Sequence, residues 1–128
     1  MTSDLASVLV ADDNTGVRES VCEILRSAGY HVTEADDGDV ALESYNDHPS
    51  EVVVLDVRMP RLDGISVVEN MVPEPPPPAI VLVSAYDLDR EARERLGTRI
   101  FRFLRKPVSP LDLLNAVSEA AGAAGSPA

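Results

Sequence analysis

The sequence predicts an α/β fold of the (βα)5 type, in which five parallel strands alternate with five helices. Five short apolar runs recur in the 128 residues, at 8–11, 31–35, 52–56, 80–84 and 100–104, and stretches with helical spacing of apolar residues separate them. Alternation of this kind indicates a parallel sheet that helices cover on both faces. Right-handed crossovers then favour a doubly wound, flavodoxin-like three-layer sandwich with the strand order 2-1-3-4-5.

The third and fourth runs are the most hydrophobic of the five. Residues 52–55 and 80–83 are unbroken stretches of valine, isoleucine and leucine, which is typical of strands buried on both faces. The second and fifth runs carry more polar residues, so we place them nearer to the edges of the sheet.

The first helix has apolar residues at i, i+4, i+7, i+8 and i+11 and stops at Gly29. The single cysteine, Cys22, lies on the same apolar side and has no partner for an internal disulfide. We expect Cys22 to pack in the core rather than to take part in redox chemistry. The apolar positions are Val17, Val21, Ile24, Leu25 and Ala28.

Shorter patterns indicate four further helices. The second starts near Asp37, and the third is short. The fourth ends at Gly97 and has only a thin apolar stripe in a heavily charged segment, and the fifth has Ser109 as its N-cap before Pro110. Their apolar residues are, in order, Ala41, Leu42 and Tyr45; Val67, Val68 and Met71; Leu88, Ala92 and Leu96; and Leu111, Leu114 and Val117.

One compact domain is expected over residues 1–121, followed by a flexible tail or the start of a linker at 122–128. Residues 73–78 contain five prolines. A segment of this composition cannot be helical and favours the polyproline II conformation. We interpret this segment as a stiff surface connection, although a ligand for a proline-recognising module is an alternative.

The charge balance limits the classes of partner. A formal net charge of −11 argues against direct nucleic-acid binding, which needs a basic surface, and is compatible with binding cations. The sequence contains neither a membrane span nor a signal-peptide pattern, so a cytoplasmic location is expected. Lys106 is the single lysine beside ten arginines. It therefore suggests a role for a compact ammonium that arginine cannot fill, although compositional drift is an alternative.

Polar residues that can carry chemistry fall at the ends of the predicted strands. Asp12 and Asp13 follow the first strand, Asp56 ends the third, Ser84 ends the fourth, and Lys106 follows the fifth. The carboxyl ends of parallel strands form the functional edge of this fold. We therefore expect these five side chains to converge on one pocket.

A cluster of three carboxylates and one ammonium retains a formal charge of −2, which favours a divalent cation. Mg²⁺ fits because it prefers oxygen ligands and usually binds few carboxylates together with phosphate and water. A carboxylate beside Mg²⁺ and an ammonium is prepared to attack phosphorus, and aspartyl phosphates are a known product of such nucleophiles. We therefore predict Asp56 to be a phosphoryl acceptor.

Each of these residues also has a purely structural interpretation. The segment from Asp12 to Asn14 could start the first helix, Ser84 could be an ordinary buried hydroxyl, and the Asp63-Gly64 pair favours a turn. These interpretations do not explain why the polar residues all fall at strand ends.

Four motifs in order resemble the response-regulator receiver domains of the CheY-like superfamily. They are Val8-Leu-Val-Ala-Asp-Asp-Asn14, Leu55-Asp-Val-Arg-Met-Pro-Arg-Leu-Asp-Gly64, Val83-Ser-Ala85 and Leu104-Arg-Lys-Pro107. The resemblance runs from about Val8 to Ala121. It implies a receiver domain that is phosphorylated by a histidine kinase.

The resemblance implies a role for each matching residue. Asp56 would take a phosphoryl group from phosphohistidine. Asp13 and Asp56, with the Arg58 backbone carbonyl, would bind Mg²⁺ (or Mn²⁺ as a substitute), and Asp12 would act through a water. Lys106, Ser84 and the Ala85 amide would contact the phosphoryl oxygens. Ser84 and Phe103 would move inward as the switch, and the Lys106–Pro107 peptide would be cis.

The resemblance also implies the partners. They are a sensor histidine kinase or phosphotransfer protein upstream and an output domain or partner protein downstream, with the fourth helix, fifth strand and fifth helix as the switching face. We expect a monomer or weak homodimer without nucleic-acid or membrane contact, which catalyses only its own phosphorylation and dephosphorylation. The sequence departs from the family pattern in places. No basic residue follows Lys106, which puts the common dimer in doubt, and Phe103 lacks a tyrosine hydroxyl, so burial is expected.

Other functions are less consistent with the residues. A haloacid-dehalogenase-like phosphatase needs an acid where Arg58 stands, and a flavodoxin would place phosphate where the acids at 12–13 lie. A phosphorylation-independent adaptor that binds partner proteins is the remaining alternative.

Overall fold

The computed structural model describes residues 5–71 and 77–123. All five predicted strands and all five predicted helices are present, and each strand begins and ends within one residue of its predicted run. In chain order the elements are β1 (Ser7–Ala11), α1 (Thr15–Ser27), β2 (His31–Ala35), α2 (Gly38–Asp47), β3 (Val52–Asp56), α3 (Gly64–Asn70), β4 (Ala79–Ser84), α4 (Arg90–Leu96), β5 (Ile100–Arg105) and α5 (Pro110–Ala123).

The strands form one parallel sheet in the order β2-β1-β3-β4-β5. This confirms the predicted doubly wound α/β fold. Every residue of β3 and β4 is buried, whereas the edge strands β2 and β5 are partly exposed. The interior strand β1 is likewise buried along residues 8–11, so the three interior strands are the ones whose runs are continuously apolar in the sequence.

Two separate cores hold helices against the sheet. One lies between the sheet and α1 and α5, and the other between the sheet and α2, α3 and α4. Successive strand residues point to opposite faces, so Leu9 belongs to one core and its neighbours Val8 and Val10 to the other. Complete burial of one such side chain contributes about 1.5–3 kcal/mol.

Cys22 packs in the core of α1 and α5, as predicted, and is 1% exposed. Burial in this apolar environment raises the pKa of the Cys22 thiol to about 11. The thiol is therefore protonated and unreactive near neutral pH.

The predicted helix ends are confirmed at several caps. Asp37 caps α2 by accepting the Val40 amide at 2.8 Å, and Ser109 Oγ accepts the Asp112 amide at 3.1 Å at the start of α5. Gly29 follows α1 with a φ of 103°, a left-handed conformation that glycine adopts without strain.

Some predicted apolar stripes are wrong in detail. Val17 on α1 and its C-cap residue Ala28 are exposed. Leu88 precedes α4, which starts after its cap Asp89. Leu111 is 67% exposed, whereas Leu113, which the stripe did not include, is buried on α5. The other two residues of the predicted stripe do pack in the core: Val117 is buried and Leu114 is partly buried against it. The core-facing side of α5 also includes Leu113, Ala116 and Ala120.

Parts of two predicted segments lie outside the described residues. They are residues 73–76 of the proline-rich connection and residues 124–128 of the tail. Gly122 and Ala123, which were expected to belong to the tail, continue α5. Within the described residues, no helix combines the length and hydrophobicity needed to cross a membrane.

Candidate functional site

The carboxyl ends of three strands, β1, β3 and β5, bring the predicted charged residues together. Asp12 follows β1, Asp56 ends β3, and Lys106 follows β5. The Lys106 Nζ atom donates hydrogen bonds to Asp12 Oδ2 at 3.0 Å and to Asp56 Oδ2 at 3.1 Å. The predicted convergence of these residues is confirmed, although 94 positions separate Asp12 from Lys106 in the chain.

Asp12 and Asp56 are buried, with exposed fractions of 5% and 7%. Each uses its second oxygen to accept a backbone amide two residues further along the chain. Asp12 Oδ1 accepts the Asn14 amide at 2.9 Å, and Asp56 Oδ1 accepts the Arg58 amide at 3.3 Å. These bonds hold both carboxylates with Oδ2 directed at Lys106.

Asp13 completes a group of three acids that could hold a metal ion. One carboxylate oxygen from each of Asp12, Asp13 and Asp56 lies within 4.8 Å of the others. Asp13 is exposed while its two partners are buried. Three hard oxygen donors at this spacing, with one ammonium beside them, suit Mg²⁺ in both charge and ligand type.

Burial and mutual repulsion shape the ionisation of the cluster. Burial raises the pKa of Asp56, the neighbouring Asp12 carboxylate raises it further, and the hydrogen bond from Lys106 opposes both. Burial alone would lower the pKa of Lys106, but its hydrogen bonds to Asp12 and Asp56 raise the pKa above its usual value. Lys106 is therefore a permanent cation at this site.

Ser84 and Ala85 lie at the end of β4, beside Asp56. The Lys106 amide donates to the Ser84 carbonyl at 2.8 Å, on the side of β4 that faces β5. Because a trans peptide directs its C=O and N–H to opposite sides, the Ala85 N–H points toward β3, which ends at Asp56. The Ser84 hydroxyl accepts the Tyr86 amide at 3.1 Å.

The Lys106–Pro107 peptide is cis, as predicted. Phe103, in contrast, is only half-buried and packs against the core under α2, α3 and α4. The expectation that Phe103 is completely buried is therefore wrong. Phe103 lies on β5, which is the edge strand of the sheet in the part of the chain that the structure describes. Its place on an edge strand explains its partial exposure.

The loop after β3 contains close contacts that constrain the site. A Cβ atom on Gly64 would lie 2.4 Å from the Asp56 carbonyl oxygen, so only glycine allows α3 to start against the end of β3. Asp63 caps α3 by accepting the Ser66 amide at 2.8 Å. The Asp63-Gly64 pair therefore begins a helix and is not an isolated turn.

Several contacts of arginine side chains near the site were not predicted from the sequence. Arg18 donates to the Asp12 backbone carbonyl at 2.8 Å and also pairs with Glu34 at 3.2 Å. The Arg58 guanidinium stacks 4.5 Å from the centre of the Tyr86 ring. No sequence motif predicts such contacts, because each depends on which loops the fold brings together.

A cavity of about 700 Å³ opens beside Asp12, Asp56 and Lys106, between α1 and α5. The site is therefore accessible from the surface although its carboxylates are buried. This volume is in the range of sites that hold small ligands.

Comparison with known proteins agrees with this geometry. A family model described as the response regulator receiver domain matches residues 8–118. The chain belongs to this family. It is the receiver domain of a response regulator, the signalling component of two-component systems.

Individual relatives are similar over most of this chain. The transcriptional regulatory protein PdtaR from Mycobacterium tuberculosis is 36% identical over 111 residues, which cover 86% of this chain and 54% of PdtaR. The chain thus spans about half the length of that relative. The receiver domain of Francisella response regulator 1452 is 30% identical with a TM-score of 0.82, covering 92% of this chain and 98% of that one.

A CheY-like receiver domain from Methanospirillum hungatei has the same fold. It superimposes with a TM-score of 0.85 at 24% identity and covers 94% of this chain and 96% of that chain. The backbone architecture is therefore retained although three quarters of the aligned residues differ.

Proposed function

We propose that this receiver domain accepts a phosphoryl group on Asp56 in a Mg²⁺-dependent reaction, from a histidine kinase or a phosphotransfer protein. The observation that carries the proposal is the Lys106 ammonium, which bridges Asp12 and Asp56 at 3.0 and 3.1 Å. This arrangement places a fixed positive charge at the nucleophile, where the oxygens of a phosphoryl group would develop negative charge.

The acid cluster suits the metal ion that this chemistry uses. Asp13 and Asp56 would hold Mg²⁺, or Mn²⁺ in its place, together with the Arg58 backbone carbonyl, and Asp12 would act through a bound water. The ion would neutralise the acids and stabilise charge on the phosphoryl oxygens. Lys106 is the second source of positive charge, and it is supplied by the chain itself.

In the transfer step, an Asp56 carboxylate oxygen attacks phosphorus and forms the P–O bond of an aspartyl phosphate. The P–N bond to the donor histidine breaks, and the imidazole leaves with the electron pair. The Lys106 ammonium, the Ser84 hydroxyl and the Ala85 N–H would contact the phosphoryl oxygens. The direction of the Ala85 N–H, toward β3, supports this role.

The signal would leave the site through Ser84 and Phe103. In the resting arrangement the Ser84 hydroxyl is engaged with the Tyr86 amide, and movement to a phosphoryl oxygen would release that bond. Phe103 would follow inward, and the change would reach the surface formed by α4, β5 and α5. That surface would control an output domain or a partner protein.

We propose that the domain works in the cytoplasm as a monomer or weak homodimer without nucleic-acid or membrane contacts of its own. A phosphorylation-independent adaptor would not need the acids, the nucleophile and the lysine together. This chain has all of these residues, and Lys106 is hydrogen-bonded to both Asp12 and Asp56. Their presence together favours the phosphorylated switch.

The test is the intact mass of the domain after incubation with phosphoramidate and Mg²⁺. We expect the mass of one phosphoryl group to be added, and the addition to disappear with EDTA and in Asp56→Asn. Asp112→Asn removes an exposed acid on α5 and is the matched control, which should be modified like the wild type. A wild-type domain that binds Mg²⁺ but gains no mass would favour the adaptor.

A further inference from the structure

We propose that Arg105 is a latch that holds the Ser84 hydroxyl in its resting position and so opposes the switch. This inference rests on the proposed function, because the inward movement of Ser84 belongs to that function. Arg105 is the last residue of β5 and directly precedes Lys106. In the register of the sheet it lies beside Ser84.

The peptide unit between Ala85 and Tyr86 is held at both of its ends. The Arg105 Nε atom donates to the Ala85 carbonyl oxygen at 2.8 Å, and the Tyr86 N–H donates to Ser84 Oγ at 3.1 Å. The carbonyl and the N–H belong to one rigid plane. By fixing the carbonyl, Arg105 therefore fixes the direction of the N–H that engages the Ser84 hydroxyl.

Arg105 has a second anchor in the same loop. Its Nη1 atom pairs with Asp87 Oδ1 at 2.7 Å, so one guanidinium joins the end of β5 to two points of the loop between β4 and α4. Its positive charge also polarises the Ala85 carbonyl, which makes the Tyr86 N–H a stronger donor to Ser84.

The contact biases the two-state equilibrium toward the resting state. Ser84 must release the Tyr86 N–H to reach a phosphoryl oxygen, and this release is easier when the peptide is free to rotate. A contact made in only one state shifts the population toward that state. The Arg105 side chain is 54% exposed, so the shift is modest, and we expect roughly a twofold to fivefold effect.

Arg105→Met tests the latch through binding of beryllofluoride, a phosphoryl mimic, in the presence of Mg²⁺. The dissociation constant, measured by NMR titration, should fall by about two- to fivefold relative to the wild type. Loss of a positive charge near the site would by itself weaken binding of an anion, so the sign of the change separates release of the latch from simple electrostatics.

Arg102→Met is the matched control. Arg102 also lies on β5 and pairs with an exposed acid, but that acid is Glu119 on α5 and not a residue of the loop after β4. Its removal should leave mimic binding unchanged or slightly weaker. A gain in Arg102→Met equal to that in Arg105→Met would overturn the latch.

A second readout needs neither metal nor mimic. The solvent-exchange rate of the Tyr86 amide proton, measured by NMR, should rise in Arg105→Met and stay unchanged in Arg102→Met. An unchanged exchange rate of the Tyr86 amide in Arg105→Met would overturn the latch, and so would a dissociation constant for the mimic that is no lower than in the wild type. If the wild type binds the mimic in these experiments, the proposed function stands in either case. A wild-type domain that binds no mimic would contradict the proposed function and the latch together.

Discussion

At the scale of single residues, the chemistry of the site depends on the charge balance around Asp56. Burial and the Asp12 carboxylate both raise the pKa of Asp56, and Lys106 only partly offsets them. The ionised nucleophile is therefore less stable in the folded domain than in the unfolded chain when no metal is bound. Functional sites commonly carry such a cost in stability.

This balance predicts that Asp56→Asn stabilises the metal-free domain at pH 7. The pKa of Asp56 is raised in the folded domain. Below the pKa of the unfolded chain, Asp56 is protonated in both states and does not destabilise the fold. As the pH rises through the pKa of the folded domain, Asp56 ionises and the domain loses stability. The gain from Asp56→Asn should therefore shrink as the pH is lowered from 7 toward the ordinary aspartate pKa near 4. Urea unfolding in EDTA at several pH values measures it.

Asp112→Asn is the control for this prediction, because Asp112 is exposed in the first turn of α5. It should show no comparable pH-dependent gain. A lower free energy of unfolding for Asp56→Asn than for the wild type at every pH would contradict the prediction. It would mean that the attraction of Lys106 for the ionised Asp56 outweighs the cost of burial and the repulsion from Asp12.

Gly38 is a second residue whose effect is decided by one contact. A Cβ atom there would lie 1.7 Å from the Leu62 carbonyl oxygen, so Gly38→Ala must displace the loop that follows Asp56. We expect a loss of about 2 kcal/mol or more in the free energy of unfolding and weaker Mg²⁺ binding. Urea unfolding and a Mg²⁺ titration followed by NMR measure the two effects.

Gly122→Ala is the matched control for Gly38→Ala. A Cβ atom on Gly122 meets nothing within 4 Å, and Gly122 lies in α5, where alanine is preferred by up to about 1 kcal/mol. This variant should be as stable as the wild type or more so. Equal stability of the two variants would show that the loop adapts to a side chain at Gly38 without cost.

At the scale of elements, α4 is a helix with little apolar anchoring. Of its seven residues only Ala92 and Leu96 belong to a core. The thirteen-residue α1 also buries two residues, Cys22 and Leu25, and in addition packs Val21 and Ile24 against its core. A short helix with little buried apolar surface opens more easily than a long one. This property suits an element that must shift when the site is phosphorylated.

We therefore predict that the amides of α4 exchange with solvent faster than those of α1, and that a phosphoryl mimic changes the rates in α4 more than in α1. Native-state hydrogen exchange, read by NMR with and without beryllofluoride and Mg²⁺, measures both effects. Amides of α4 that exchange as slowly as those of α1 in both states would contradict the proposed role of α4.

The elements were largely predictable because each has a local signal. The continuous apolar runs predict β3 and β4, and the caps Asp37 and Ser109 predict where two helices start. The polar residues at the strand ends predict where the candidate site lies. Such signals follow from burial and from unpaired backbone groups at helix ends. They require no knowledge of the tertiary structure.

The remaining features depend on tertiary contacts and were missed. The half-burial of Phe103 follows from its place on an edge strand, and the exposure of Leu111 from the orientation of α5. The contacts of Arg18 and Arg105 with backbone carbonyls of Asp12 and Ala85 join distant parts of the chain. A long arginine side chain reaches many possible partners, so spacing alone cannot select one.

At the scale of the whole molecule, the charge is strongly asymmetric along the chain. The entire net charge of −11 comes from residues 1–57, while acids and bases balance in residues 58–128. The proposed nucleophile ends the acidic half, and the single lysine beside it comes from the balanced half. The ammonium that contacts Asp12 and Asp56 is therefore supplied by Lys106, from the part of the chain with balanced charge.

Chemical trapping can identify the residue that carries the phosphoryl group, which we propose to be Asp56. Borohydride reduces an aspartyl phosphate to homoserine, so the domain would be phosphorylated with phosphoramidate and Mg²⁺, reduced, digested and sequenced by mass spectrometry. We expect homoserine at position 56 and unchanged aspartate at positions 12 and 13. Homoserine at either of those positions, or none in a domain that has gained phosphoryl mass, would contradict this proposal.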